Sequence, residues 1–332
     1  MRRRRAPASP ETTSRARPRP PPGRPEVAFG AFAGGPEAAP GVAAAQRKSR
    51  IVLLLLLPGV IYLAITYVAP LISLVLTSLQ SPSPDLAIGS YVYGFNVGNY
   101  VVALQTYAPV LGRSFLFALT ATVLTLLIGY PLAYFIGVTL RRFPLLQSLA
   151  LVLVIAPFFI SFLLRTLAWK QIFSDEGPVV SFLQALSLLP HDAHLTGTPF
   201  MVIFGLTYNF LPFTVLPMYT SLERLDLRYL EAASDLYASR WNTFWRVTFP
   251  LSLPGVVSGT LLTFIPATGD YINASPSFLG GLDTAMIGNV IEQNFLVLQN
   301  YPVAAAMSIV LMVAILIPVA IYVSATKTED LL

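Results

Sequence analysis

Long apolar runs dominate this chain, and shorter polar stretches separate them. A membrane-crossing helix needs about 20 apolar residues. Six runs meet or approach that length: 51–79, 115–138, 145–164, 199–219, 251–267 and 304–325. The first is overlong, which predicts tilt or extension past the interface. The fifth is interrupted by Pro254, Gly255, Gly259 and Pro266. Such breaks are tolerated where neighbouring helices or a cavity satisfy the freed backbone groups, so this helix is expected to line a pathway. The pattern predicts an all-α membrane protein with six transmembrane helices.

The stretches between the runs differ in kind. Residues 80–110 carry Tyr91, Tyr93 and Tyr100 among several glycines and read as a loop. Residues 179–189 have helical periodicity and are expected along the interface. Residues 273–299 contain Phe278-Leu279-Gly280-Gly281 and then an apolar stretch ending near Glu292. The longest amphipathic polar stretch is 222–248. Its Leu, Ala, Glu and Arg over 227–237 favour helix, with Asp226 as a cap. Tyr229, Leu230, Ala233, Leu236 and Tyr237 share one face. Trp241, Phe244, Trp245 and Val247 form a second short amphipathic run. Two short helices joined near 237–239 are expected. Their aromatics would either plug a groove on a partner or lie at the lipid headgroups.

Charge sets the orientation. Charged residues are 11% of the chain, against about 25% in soluble domains. Residues 1–50 hold eleven Lys/Arg against three Glu, a balance of +8, and the remainder balances at −3. That Arg-, Pro- and Ala-rich tail is expected to be disordered. It either serves as a solvated orienting tail or binds anionic membrane lipid through Arg2 to Arg5. A cleaved signal peptide is not expected, because the apolar run after Arg50 is too long for one. Arg141, Arg142, Arg224, Arg228, Arg240 and Arg246 follow the second and fourth runs, and Lys327 follows the sixth. The opposite loops carry only Arg113, Arg165 and Lys170. The positive-inside rule then places both termini and 222–248 in the cytoplasm. The expected organisation is a tail at 1–50, a transmembrane domain at 51–327 with its polar loop at 222–250, and a cytoplasmic end at 328–332.

Enzyme chemistry finds little support. There is no cysteine, which excludes disulfides and thiolate sites. The lysines are Lys48, Lys170 and Lys327, none of them after a glycine, so no phosphate-binding loop is present. His191-Asp192-Ala193-His194 brings two imidazoles together, but a structural zinc needs four ligands. No serine sits in a nucleophile-elbow context. No cofactor, metal or nucleic-acid partner is expected.

The polar loop carries a spacing that identifies a family. Glu231-Ala232-Ala233, three residues, Tyr237, nine residues and Val247-Thr248-Phe249-Pro250 resemble the EAA loop of bacterial ABC importer permeases. That signature has Gly where Tyr237 stands. Tyrosine resists the left-handed turn that glycine allows, so a reshaped turn is expected here. Further similarity lies in Leu57-Pro58-Gly59, Ala156-Pro157-Phe158, Arg165-Thr166-Leu167-Ala168-Trp169 and Phe264-Ile265-Pro266-Ala267 with Gly269-Asp270. Leu279-Gly280-Gly281 and Met286-Ile287-Gly288-Asn289 complete it. Together these look like the spermidine/putrescine branch; related branches carry iron, sulfate, molybdate or opines.

The resemblance implies a type I permease fold in the bacterial inner membrane. It implies an ATP-binding cassette ATPase dimer, a second and non-identical permease, and an extracytoplasmic solute-binding protein as partners. Glu231, Ala232, Ala233, Tyr237 and Pro250 are the expected ATPase-coupling residues. A polyamine pathway needs carboxylates and aromatic faces, which points to Asp270, Tyr271 and Glu292, with Asp283 further out. Asp270 could instead cap the end of its helix or pair with Arg165.

Overall fold

The computed structural model describes residues 55–83, 89–190 and 192–325. The tail at 1–50, Lys327 and the end at 328–332 lie outside the described residues. The chain divides into units 1–64 and 65–332. The described part of the first unit is the helix that begins at Leu55.

Among the described residues, five helical stretches are long and apolar enough to cross a membrane: Leu55–Ser78, Gly98–Arg142, Pro199–Glu223, Arg240–Thr268 and Tyr301–Ser324. A sixth is a bent pair, Pro144–Phe159 and Phe162–Ile172, turning by 95°. The third apolar run is thus a bent helix pair and not one straight helix. Ala156–Phe159 tightens into a 3-10 turn, and Ile160 and Ser161 are extended before the chain resumes as helix. Exposed Leu, Ile and Val side chains along Leu55–Ser78, the second span and the last helix present the apolar surface that lipid requires.

The elements of the second unit follow in order. Helix α1 is Ala69–Ser78. Strands β1 (Ser81–Pro82) and β2 (Tyr91–Val92) form a two-stranded antiparallel pair with Ser81 opposite Val92. Helix α2 (Gly98–Tyr134) continues through a π-turn to Arg142, so the loop expected at 80–110 becomes helical from Gly98. Helices α3 (Pro144–Ile155) and α4 (Phe162–Ile172) are the bent pair, and α5 (Pro178–Ala185) is the short helix expected near 179–189. Helix α6 (Pro199–Glu223) precedes the two short helices α7 (Arg228–Asp235) and α8 (Arg240–Thr243). A π-turn at Phe244–Thr248 runs directly into α9 (Phe249–Thr268), so the fifth span has no break from the polar loop. Helix α10 (Ile287–Glu292) and α11 (Tyr301–Ala325) complete the chain.

Helices α2, α6 and α9 pack together, and α11 lies against α2 and α1. One core joins Phe117, Ala118 and Ala121 of α2 to Val202, Leu206 and Phe210 of α6, with Ala267, Ala274 and Met286. Small residues set the α6–α9 approach. A Cβ on Gly255 would lie 2.6 Å from the Ser221 side chain and 2.7 Å from the Pro217 carbonyl. On Gly259 it would lie 3.0 Å from the Thr214 carbonyl. This is close packing through a Gly-x-x-x-Gly face, reinforced by the buried Thr214–Thr263 hydroxyl pair at 2.6 Å. Gly255 and Gly259, two of the breaks in the fifth apolar run, thus seat α9 on α6.

Candidate functional site

The polar loop is built from α6 outward. Arg141, at the end of the second span, donates to the Glu223 carbonyl at 2.6 Å and the Leu225 carbonyl at 2.9 Å. A guanidinium there satisfies carbonyls that a helix end leaves open. The Asp226 carboxylate accepts the Arg228 N–H at 3.0 Å, but the cap position of α7 is Leu227, so Asp226 sits one residue before the cap expected of it. Of the expected apolar stripe, Ala233 is buried, while Tyr229, Leu236 and Tyr237 stay exposed. Glu231 and Ala232 are also exposed.

The turn after α7 keeps its left-handed form. Tyr237 has φ of 54°. Its N–H donates to the Ser234 carbonyl at 2.9 Å, and the Ala238 N–H reaches the Ala233 carbonyl at 3.0 Å. These two bonds are a Schellman termination. The reshaped turn expected from the missing glycine is therefore not found, because the bonds hold Tyr237 in a conformation that costs a side-chain-bearing residue roughly 1 kcal/mol. The ring is 98% exposed.

Ser239 starts α8, its hydroxyl accepting the Asn242 N–H at 3.3 Å. Trp241, Phe244, Trp245 and Phe249 then form an aromatic cluster, stacked at Trp241–Phe244 and edge-on or tilted elsewhere, and Phe244 also meets Tyr130 and Tyr134 of α2. Pro250 is the second residue of α9, directly after the π-turn at Phe244–Thr248. A cavity of about 760 Å³ lies beside this loop, lined by Ser221, Arg224, Asp226, Tyr229, Pro254 and Ser258.

At the far end of α9, Asp270 is 7% exposed. Its carboxylate accepts the Asn273 N–H at 2.8 Å and the Asn273 Nδ2 at 3.1 Å. That fixes the Asn273 amide, whose Oδ1 accepts from Asn209 Nδ2 at 3.0 Å. Asn209 Nδ2 also reaches Thr166 Oγ1 at 3.2 Å. A buried polar chain so ties α4, α6 and the segment after α9. Burial pushes the Asp270 carboxyl up to about 6, against the lowering effect of the hydrogen bonds from Asn273. Asp270 caps its own turn. Arg165, 8% exposed, lies over the Phe162 ring at 5.7 Å, and its Nε and Nη1 meet no acceptor.

Tyr271 and Glu292 do come together. Both line a cavity of about 350 Å³ with Gly269, Gly288, Phe295 and Leu311. Asp270 is not among its lining residues. Several groups position that cavity. Arg113 Nε donates to the Ala285 carbonyl at 2.9 Å, and the Ser114 hydroxyl accepts the Ile287 N–H at 2.7 Å. Asn289 Nδ2 donates to the Tyr271 carbonyl, and Asn289 Oδ1 accepts the Met286 N–H at 3.0 Å. A Cβ on Gly288 would lie 2.5 Å from the Gly269 carbonyl, so only glycine permits this approach. Lys170 adds a bond to the Ser277 carbonyl at 2.9 Å. Arg113 and Lys170 stand out in the sequence as cations against the orientation rule; their main-chain partners do not.

His191 lies outside the described residues, and among those described no group of three or more His, Asp or Glu side chains converges. His194 Nδ1 pairs with Asp175 at 2.9 Å, and that hydrogen bond raises the imidazole above its ordinary value.

Residues 130–327 match the family described as binding-protein-dependent transport system inner membrane component. The chain is 36% identical over 238 residues to the spermidine/putrescine transport system permease protein PotB of Haemophilus influenzae, covering 71% of this chain and 82% of that one. It is 37% identical over 234 residues to the PotB of Escherichia coli K12, covering 70% and 83%. A chain of a bacterial ABC transporter that imports the polysaccharide alginate superposes with a TM-score of 0.62 at 17% identity, over 87% of this chain and 99% of that one. That likeness concerns the fold. The chain belongs to the inner membrane component family of binding-protein-dependent transport systems and is a multi-pass membrane permease.

Proposed function

We propose that this chain is one of two membrane subunits of an ATP-driven polyamine importer, with spermidine and putrescine as solutes. The observation that carries this reading is its similarity to the two polyamine permeases over most of their length. The cavity at Tyr271 and Glu292 supports it. A primary ammonium has no acceptor and needs a carboxylate or an aromatic face, and Glu292, Tyr271 and Phe295 supply both kinds. Asp270 contributes through the turn that orients Tyr271.

The chain performs no chemistry of its own. A separate ATPase dimer engages the loop at 222–250 on the cytoplasmic side, where both termini also lie. Glu231 meets a polar or basic group there, and exposed Ala232 permits close approach. Because α9 continues from the loop without a break and Arg141 ties the end of α6 to the second span, displacement of the loop moves α6 and α9 together. A binding protein delivers the solute to the opposite face, and a second, non-identical permease completes the pathway.

The test is uptake of labelled spermidine and putrescine in cells with and without this chain, alongside Glu231→Arg and Glu292→Gln. Deletion and Glu231→Arg are expected to abolish uptake while the variant still inserts. Glu292→Gln is expected to raise the half-saturating concentration about tenfold, as loss of one desolvated charge contact does. Unchanged polyamine uptake on deletion sinks the solute assignment, and full uptake by Glu231→Arg sinks the coupling role.

A further inference from the structure

Among the described residues, three buried side-chain polar atoms meet no partner: Nε and Nη1 of Arg165 and Oδ1 of Asn209. The first two are donors and the third is an acceptor. Leaving a buried cation unpaired is strongly destabilising. The Asn209 amide cannot turn over to relieve its oxygen. Thr166 Oγ1 donates to the Phe162 carbonyl at 3.0 Å, and Asn273 Nδ2 donates to Asp270 at 3.1 Å. Thr166 and Asn273 therefore offer Asn209 only acceptors, and its Nδ2 serves both. The unmet groups lie beside one helix contact. Thr166, next to Arg165 in α4, touches Asn209 of α6, and Phe162, under the guanidinium, packs on Phe210 at 6.4 Å. Helix α4 is fixed at its far end, where Trp169 packs on Phe204 and Tyr208 and Lys170 holds the Ser277 carbonyl. Its first turn follows the extended Ile160 and Ser161, and the Ser161 side chain caps nothing.

We propose that Arg165 and Asn209 form a latch, open in the state seen here and closed in another state of the transport cycle. Rotation of the first turn of α4 about the bend at Ile160 and Ser161 brings the guanidinium to Asn209 Oδ1. Asn209 also holds Asn273, and Asn273 holds the Asp270 carboxylate beside Tyr271. Closing the latch therefore reaches the turn that presents Tyr271, and Arg165 is a positioning residue for the solute cavity. That last link rests on the reading that Tyr271 and Glu292 hold the solute; the latch itself does not.

The test compares the purified intact transporter without nucleotide and trapped with ATP and vanadate. Arg165→Met exchanges the guanidinium for an apolar chain. In the open state it removes an unpaired buried charge, so the melting temperature is expected at or above the parent's. In the closed state it removes a bond, so the melting temperature is expected below the parent's. ATP hydrolysis is expected to fall about tenfold, the effect of losing one hydrogen bond to a charged group. Asn209→Asp offers the guanidinium a full charge in both states. It is expected to narrow the melting difference between the states and to slow hydrolysis as much. Equal melting shifts in the two states for Arg165→Met would show that a fixed water or packing satisfies Arg165 throughout, and would overturn the latch. Parental hydrolysis by Arg165→Met would overturn it too, and this variant decides alone if Asn209→Asp does not insert. If the two melting temperatures of Arg165→Met move apart while deletion of the chain leaves polyamine uptake intact, the latch stands and only its link to a polyamine cavity falls.

Discussion

The Asp270 carboxyl accepts hydrogen bonds from its own turn while almost wholly removed from water, and those two effects oppose each other. Burial is the larger, and it raises the carboxyl from its usual value of 3.8 to about 6. The folded protein therefore holds this proton at pH values where the unfolded chain has released it. Stability from this group is fully present below about pH 4 and is lost as pH rises through about 6. The difference corresponds to on the order of 3 kcal/mol. Thermal unfolding of the detergent-solubilised protein should show it when the parent and Asp270→Asn are compared from pH 4 to 7. The parent's midpoint is expected to fall with rising pH relative to the variant, which has no proton to lose at this position. Parallel profiles would show that the carboxyl titrates normally. Asn273 reads the same carboxylate through its amide, and Asn209 reads Asn273 in turn.

The element scale is governed by how closely helices approach. Helix α9 lies on α6 where Gly255 and Gly259 leave no room for a side chain, and both helices carry internal prolines, Pro212 and Pro217 in one, Pro254 and Pro266 in the other. Gly255→Val puts its branched side chain against Ser221, the Pro217 carbonyl and Met218, two of them main-chain or Cα neighbours that do not swing aside. Overpacking of this kind costs about 1–3 kcal/mol or more. The variant is expected to unfold several degrees lower and to lose uptake even where it inserts, because α6 and α9 no longer move as a pair. A purified Gly255→Val protein with the parent's melting temperature and full transport would show the crossing to be looser than this. On the opposite side of the bundle, α10 depends on Arg113 and Ser114 of α2, which bind the Ala285 carbonyl and the Ile287 N–H. These contacts decide where Glu292 stands.

For the whole molecule, the apolar runs were legible because the bilayer imposes one length on every span, and the loop at 222–250 was legible because its polarity breaks that pattern. Other features were not. Residues 145–164 carry no charge, and Pro157 marks a break among them, but a proline does not fix the size of the bend, which is 95° across Ile160 and Ser161. Tyr237 opposes the left-handed turn by local preference, and two hydrogen bonds decide otherwise. Tyr271 and Glu292 lie far apart in sequence, and α10 folds back to bring them together, whereas Asp270, next to Tyr271 in sequence, turns inward as a cap. Orientation is the property that charge bias predicts and geometry can test directly. The chain contains no cysteine, so single cysteines report without background. Leu236 is 81% exposed beside α7, and Leu282 is 88% exposed in the segment between α9 and α10, at opposite ends of the fifth span. In intact spheroplasts, Leu282→Cys is expected to react with a membrane-impermeant maleimide, and Leu236→Cys only after the membrane is opened. The reverse pattern would place the loop at 222–250 outside, away from any cytoplasmic ATPase, and would overturn the coupling role.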